Sequence, residues 1–241
     1  MLRIACDIDG ELRGVLSMDE GRLRALTKLE PVGISITTVL PWTRKRVERF
    51  IERTYRRHYE SVVTRHYPTL LSVHGRQGQV LAAVGLRSAG DEPLFLEHYL
   101  SQPIETAVSE ATGSLIERRR IVEIGNLSSV GNGASIFLFV GLAAYLQQQG
   151  LSYAVVTSTA ALRRSLETIG IQFTELAQAD AAALPDRGAS WGRYYTRDPR
   201  VIWGGIQPAF DRLEPYLPKS HNDDLKRLFA RTHAPLAEEC Q

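Results

Sequence analysis

The chain has 241 residues, 44% of them hydrophobic, with a formal charge of +2. That length accommodates one large domain or a medium domain with appendages, and the composition excludes a disordered chain. Arg3, Asp7, Asp9, Glu11 and Arg13 rule out a secretory h-region near the start.

Residues 1–33 read as a small appendage, with short strands at Arg3 to Ala5 and Gly14 to Leu16 around an Asp9-Gly10 turn, and a helix from Asp19 to Leu29. Ile34 to Leu40 is rich in β-branched residues and predicts a strand stopped by Pro41. Thr43 is placed to cap the next helix, whose buried stripe is Val47, Phe50, Ile51, Tyr55, His58, Tyr59 and Val62. Seven basic residues between Arg44 and Arg57 face only Glu48 and Glu52, and Arg118 to Arg120 form a second basic cluster. No nucleic-acid-binding motif accompanies them, so the charge suits an acidic partner such as a phosphorylated donor or an acidic carrier protein.

Leu70 to His74 and Val80 to Leu86, joined by a glycine-bearing link, predict an antiparallel hairpin. Glu97 follows among large apolar residues, and a helix runs from Pro103 to about Thr112. A central strand begins at Ile121, an apolar helix spans Ile136 to Leu146, and Ser152 to Thr157 is a further strand. This strand–helix–strand unit is expected to be parallel and right-handed. A short helix from Ala160 to Ile169, a strand from Ile171 to Leu176 and a last strand from Trp191 to Thr196 follow. Residues 207–217 and 221–231 predict two short helices. The apolar run of the central helix is about half the roughly 20 residues a membrane span requires. Cys6 and Cys240 form no motif, which suits a reducing cytoplasm.

The stretch from Glu123 to Ser135 organises the rest. It starts as a strand, breaks at Gly131-Asn132-Gly133 and enters the apolar helix. The first N–H groups of a helix have no internal partner, so such a turn can cradle a phosphate. Gly125 within the strand marks a bulge or a close approach to the backbone. Position 136 is Ile, so the dinucleotide fingerprint is absent, and so is the Gly-Lys-Ser/Thr end of a P-loop. Two readings remain, a plain strand-to-helix turn that needs small residues and a diphosphate cradle of the acyl-CoA type.

This order of elements resembles the GNAT-type acyltransferase fold, an α/β class built on a central splayed mixed sheet flanked by helices. Leu162 to Ile171 looks like that superfamily's short helix leading into the next strand. More narrowly, Pro93-Leu94-Phe95-Leu96-Glu97-x-Tyr99-Leu100, Val122-Glu123-Ile124-Gly125-Asn126-Leu127 and Gly188-Ala189-Ser190-Trp191-Gly192-x-Tyr194-Tyr195 resemble the thermostable hemolysin family. The resemblance covers about residues 34–205, and residues 206–241 read as a helical tail packed on that domain. The layout is also similar to N-acylhomoserine lactone synthases and ornithine-lipid acyltransferases, in which a comparable Glu-x-x-Arg precedes the donor turn. Here Asn126 stands in the arginine's place, Ser128 where the turn's first basic or amide residue would fall, and Leu166 where the superfamily often has a tyrosine.

The resemblance implies an N-acyltransferase that moves an acyl group from a thioester, acyl-CoA or an acyl-carrier protein, to a small amine such as an amino acid. The expected donor-binding residues are Asn126, Leu127, Ser128, Val130, Gly131, Asn132, Gly133 and Ala134, with no tightly bound cofactor and no metal. Glu97 and Glu123 are the candidate bases, because a carboxylate among apolar residues has a raised pKa. Trp42, Tyr99, Thr157 and Thr159 are candidate walls of the acceptor pocket. The alternatives are a membrane-active protein, as the family name suggests, and a non-catalytic protein that binds acyl-CoA or lipid.

Overall fold

The computed structural model describes residues 1–39 and 41–230. These residues build one mixed sheet from β1 (Leu2–Ile8), β2 (Glu11–Met18), β3 (Gly33–Thr37), β4 (Thr69–His74), β5 (Val80–Ser88), β6 (Ile121–Ser129), β7 (Tyr153–Ser158), β8 (Thr174–Gln178) and β9 (Arg200–Gly205). The strand order is β2-β1-β3-β4-β5-β6-β7-β9-β8. Only β1 with β3 and β6 with β7 are parallel. The helices are α1 (Glu20–Arg24), α2 (Pro41–Tyr59), α3 (Ile104–Thr112), α4 (Ala134–Gln148), α5 (Ala160–Thr168), α6 (Ile206–Leu213) and α7 (His221–Leu228).

Alternation along the strands sorts the core onto two faces. Leu71 and Val73 of β4, and Ala82 and Val84 of β5, pack with α4, whereas Leu70 and Ala83 pack with Val47, Ile51 and Tyr55 of α2. Helix α4 is apolar on every side because it is enclosed on every side: the sheet lies beneath it and α6 and α7 lie against it. Phe137 in its first turn is fully buried, and burial of a side chain of that size contributes about 2–3 kcal/mol. Helix α2 is amphipathic in charge as well as in polarity. Glu48 pairs with Arg44 and Glu52 with His66, leaving Lys45, Arg49, Arg53, Arg56 and Arg57 on its exposed face.

Several expectations are corrected. The first 33 residues supply two strands to the edge of the same sheet, with α1 shorter than predicted. Helix α2 begins at Pro41, so Thr43 lies inside its first turn, and it ends at Tyr59, leaving Val62 exposed. Leu40, the last residue of the expected β3, and residues 231–241 lie outside the described residues. Residues 191–196, expected to form the last strand, instead form 3-10 turns at Ala189–Trp191 and Tyr194–Arg197. Gly188, Gly192 and Asp198 all have positive φ there, which an extended strand does not accommodate. The last strand is β9, which inserts between β7 and β8.

Candidate active site

Strands β6 and β7 are paired only from Ile121 opposite Tyr153 to Ile124 opposite Val156. Beyond that level β6 continues to Ser129 and β7 to Ser158 without pairing, so the sheet opens between them. A bulge in β6 accompanies the opening. Gly85 faces Gly125 and Ala83 faces Ser128, which sets Asn126 and Leu127 against the single residue Val84. Asn126 takes the left-handed conformation at φ 53°. On the α4 face the opening leads to a cavity of about 100 Å³, lined by Ile124, Leu127, Phe139, Leu142, Val156 and Leu162, among others. Leu166 is part of that apolar wall.

On the opposite face the three phrases singled out in the sequence meet. Glu123 alternates with Val122 and Ile124, so it points away from α4, and it is 1% exposed. Its carboxylate accepts from the Phe95 N–H and the Leu96 N–H, each at 2.9 Å, at the start of the 3-10 turn Phe95–Tyr99. Arg87 approaches it at 4.0 Å. Burial pushes the Glu123 carboxyl above the ordinary carboxylate range, against the lowering effect of those N–H groups, Arg87 and Tyr67.

Glu97 behaves in the opposite way. Its two oxygens receive a fork from Arg118 at 2.6 and 2.7 Å and the N–H groups of Leu94 and Ile104. Although burial works to raise its pKa, these bonds together with the Arg118 charge hold it at about 2. A carboxylate so occupied is a poor base near neutrality, which corrects its expected role: Glu97 fastens the turn Phe95–Tyr99 to Arg118 and to the start of α3. Arg118 also reaches Glu105 and the Ala89 carbonyl.

The turn held by the two glutamates contributes Phe95 and Tyr99 to an aromatic cluster. The Tyr99 hydroxyl is 2.6 Å from that of Tyr195, and Phe95 lies 5.5 Å from Trp191 between ring centroids. Tyr194 is buried against Tyr55 and Tyr59 of α2, and its hydroxyl donates to the Thr157 carbonyl at 3.1 Å. Phe95, Tyr99, Trp191 and Tyr195 remain part-exposed on this face of the sheet. Sequence reasoning missed Tyr67. Its ring covers the paired glycines Gly85 and Gly125, where a Cβ on Gly125 would fall 2.1 Å from the Tyr67 hydroxyl oxygen. The signal was there in two glycines set into strands, but the close approach at Gly125 is made by this tyrosine. Arg87 stacks over the same ring at 5.0 Å.

The glycine turn before α4 leaves fewer N–H groups free than expected of a phosphate cradle. The Val130 N–H is taken by the Leu81 carbonyl, that of Gly131 by the Ser129 hydroxyl and that of Ala134 by the Gly131 carbonyl. Ser128 is buried and donates to the Asn126 carbonyl, so its side chain does not face a ligand at the turn. Among the described residues the N–H groups of Asn132 and Gly133 have no acceptor. Thr27, from the chain's first segment, lies against this turn and donates to the Asn132 carbonyl at 2.6 Å. Of the expected acceptor-pocket residues, Tyr99 and Thr157 touch the aromatic cluster, through Tyr195 and Tyr194. Thr159 caps α5 by accepting from the Leu162 N–H, and Trp42 is 84% exposed with the Lys45 ammonium over its ring. Among the described residues no group of three His, Cys, Asp or Glu side chains is placed to hold a metal ion, and no helix is long and apolar enough to cross a membrane.

A family model described as Thermostable hemolysin matches residues 39–210, more than half of the chain. The chain belongs to the thermostable hemolysin family. Solved structures similar to this member include the acylhomoserine lactone (AHL) synthase LasI, at 11% identity, with 77% of this chain and 95% of that chain covered and a TM-score of 0.52. FeeM, an N-acyl amino acid synthase from uncultured soil microbes, matches at 11% identity over 76% and 94% of the two chains, with a TM-score of 0.52. TofI, in a ternary complex with an inhibitor and MTA, matches at 12% identity over 76% and 97%, also with a TM-score of 0.52. A comparison with curated protein sequences gives no match. At these identities the likeness is one of fold: this family member has the GNAT-like mixed sheet of acyl-transferring synthases.

Proposed function

We propose that the chain is an N-acyltransferase that takes an acyl group from a pantetheine thioester, on CoA or on an acyl-carrier protein, and delivers it to a small amine such as an amino acid. The observation that carries this reading is the parting of β6 and β7 beyond Ile124 and Val156, with an apolar cavity on one face and a part-exposed aromatic cluster on the other. A pantetheine arm lies in such an opening, its thioester between the two faces. The acyl tail is assigned to the apolar cavity, and the acceptor to the face that carries Phe95, Tyr99, Trp191 and Tyr195. The phosphate end meets the N–H groups of Asn132 and Gly133. LasI and FeeM, the latter an N-acyl amino acid synthase, share the fold and so favour this class of reaction.

In the reaction the amine nitrogen attacks the thioester carbonyl carbon, the C–S bond breaks, and the thiolate leaves as the amide forms. The amine's proton goes to a base and the thiolate takes one from water. Glu123 is the residue we assign to proton removal. Its pKa is raised by burial, and its two oxygens accept the Phe95 and Leu96 N–H groups, one each, with Tyr67 and Arg87 beside it. The exposed basic face of α2 suits the acidic surface of a carrier protein.

The test is release of free thiol from an acyl-CoA or acyl-carrier series in the presence of an amino-acid panel. Acceptor-dependent release, lowered about a hundredfold in Glu123→Gln with the fold retained, supports the reading. Dye leakage from liposomes caused by the pure protein and unchanged in Glu123→Gln, with no thiol release, supports the membrane-active alternative.

A further inference from the structure

Two polar side-chain atoms at the parting of β6 and β7 are shielded from solvent and have no hydrogen-bond partner: the Asn126 amide nitrogen and the Thr157 hydroxyl. Asn126 is 6% exposed and sits on the bulge, with its carbonyl already bonded by Ser128. Thr157 is the first residue of β7 past the last paired level, and its carbonyl is bonded by Tyr194. Each residue therefore has a backbone bond in place and a side-chain donor left over. Buried amides and hydroxyls nearly always have partners, and leaving one without is costly to the fold. Two such atoms beside one opening point to a ligand that supplies the missing acceptor.

We propose that Asn126 and Thr157 donate hydrogen bonds to the carbonyl oxygen of the thioester, an assignment that rests on the acyl-transfer reading above. A carbonyl oxygen has two lone pairs and can take both bonds. As the amine adds, that oxygen gains negative charge, and donors already in place stabilise the tetrahedral intermediate. The chemistry of the pair also sets a preference. Both donors are neutral, so they suit a neutral thioester carbonyl. The carboxylate of a free fatty acid, which requires a cationic partner when buried, is disfavoured. An arginine at position 126 would reverse that preference.

The test compares octanoyl-pantetheine with S-octyl-pantetheine, a thioether of the same chain that lacks the carbonyl, in ligand-observed NMR titrations. Pantetheine is the arm common to both donor types, and repeating the pair on CoA separates the two sources. The wild-type protein is expected to bind the thioester about tenfold more tightly than the thioether. Asn126→Ala and Thr157→Val are expected to lose most of that preference while binding the thioether as before. Thr157→Val is also expected to melt about 2–4 °C higher, because an isosteric apolar side chain removes the unpartnered hydroxyl, whereas a hydroxyl that merely held the fold together would lower Tm when removed. Equal wild-type affinity for thioester and thioether, or an unchanged preference in both variants, overturns the assignment and leaves acyl transfer standing. Failure of the wild type to bind either compound, on pantetheine or on CoA, overturns the donor reading and this assignment with it.

Discussion

Arg118 grips Glu97 through both guanidinium ends, at 2.6 and 2.7 Å, and thereby ties the second basic cluster of the chain to the turn that carries Tyr99. The carboxyl is held at about 2, below its value in an unfolded chain, so the pair's contribution is present above the unfolded pKa and is lost as pH falls through about 2. Glu97→Gln is expected to cost roughly 2 kcal/mol at neutral pH, a fall in Tm of about 4–8 °C. Melting curves of both proteins between neutral and acid pH are expected to converge as the wild-type carboxyl protonates. A gap that stays constant with pH contradicts the ionic account.

Glu123 carries the opposite sign. Its folded pKa is raised, so the protonated form is favoured in the fold, and its contribution is present at low pH and lost as pH rises through the folded value. Glu123→Gln resembles the protonated form, so its Tm relative to wild type is expected to climb as pH rises. Wild-type kcat/KM should rise through the same pKa and the variant's should not. A variant whose Tm and kcat/KM both keep the wild-type pH dependence rules out Glu123 as the titrating group.

Gly133 has φ 79°, and a Cβ there would meet Thr27 Cβ at 2.7 Å and the Leu26 carbonyl at 2.8 Å. Both the conformation and the contact exclude a side chain. Gly133→Ala is expected to lower stability by roughly 2 kcal/mol and to weaken CoA binding about tenfold, measured by denaturant titration and calorimetry. Retained CoA affinity in a correctly folded Gly133→Ala protein separates this turn from donor binding.

The apolar cavity predicts a chain-length effect. Ala143 projects into it from α4 and Ala154 from β7, beside Leu142 and Val156. Ala143→Leu is expected to reduce turnover of the longest accepted acyl donor about tenfold or more while sparing acetyl or butyryl donors. Uniform loss across chain lengths indicates overpacking and not a shortened tail site.

The succession of elements from β3 to β7 was legible because its signals are local. β-Branched runs, a glycine-bearing hairpin and an apolar run longer than a strand each identify one element. The site was legible only in part. Glu97 and Glu123 look alike in sequence, two acids among large apolar residues; each accepts two backbone N–H groups, and they differ because the Arg118 fork holds one while burial governs the other. Arg118 lies 21 residues from Glu97, and the amides on Glu123 lie 27–28 residues away along the chain. The 3-10 turns carrying Trp191, Tyr194 and Tyr195 read as a strand because aromatic residues favour strands, and the glycines beside them decide otherwise. The strand Arg200–Gly205 was passed over because its apolar core is only three residues, Val201 to Trp203.

The contact between Thr27 and Asn132 spans 105 positions of chain and joins the first segment to the glycine turn before α4. In the same segment β1 pairs along β3 and covers its backbone edge. Trimming the protein at residue 33 would therefore uncover an adhesive strand margin prone to self-association and, at a stroke, unseat the glycine turn before α4. A shortened version that precipitates or turns over poorly would reflect this shared scaffolding, and its defect would carry no information about chemistry in the removed segment.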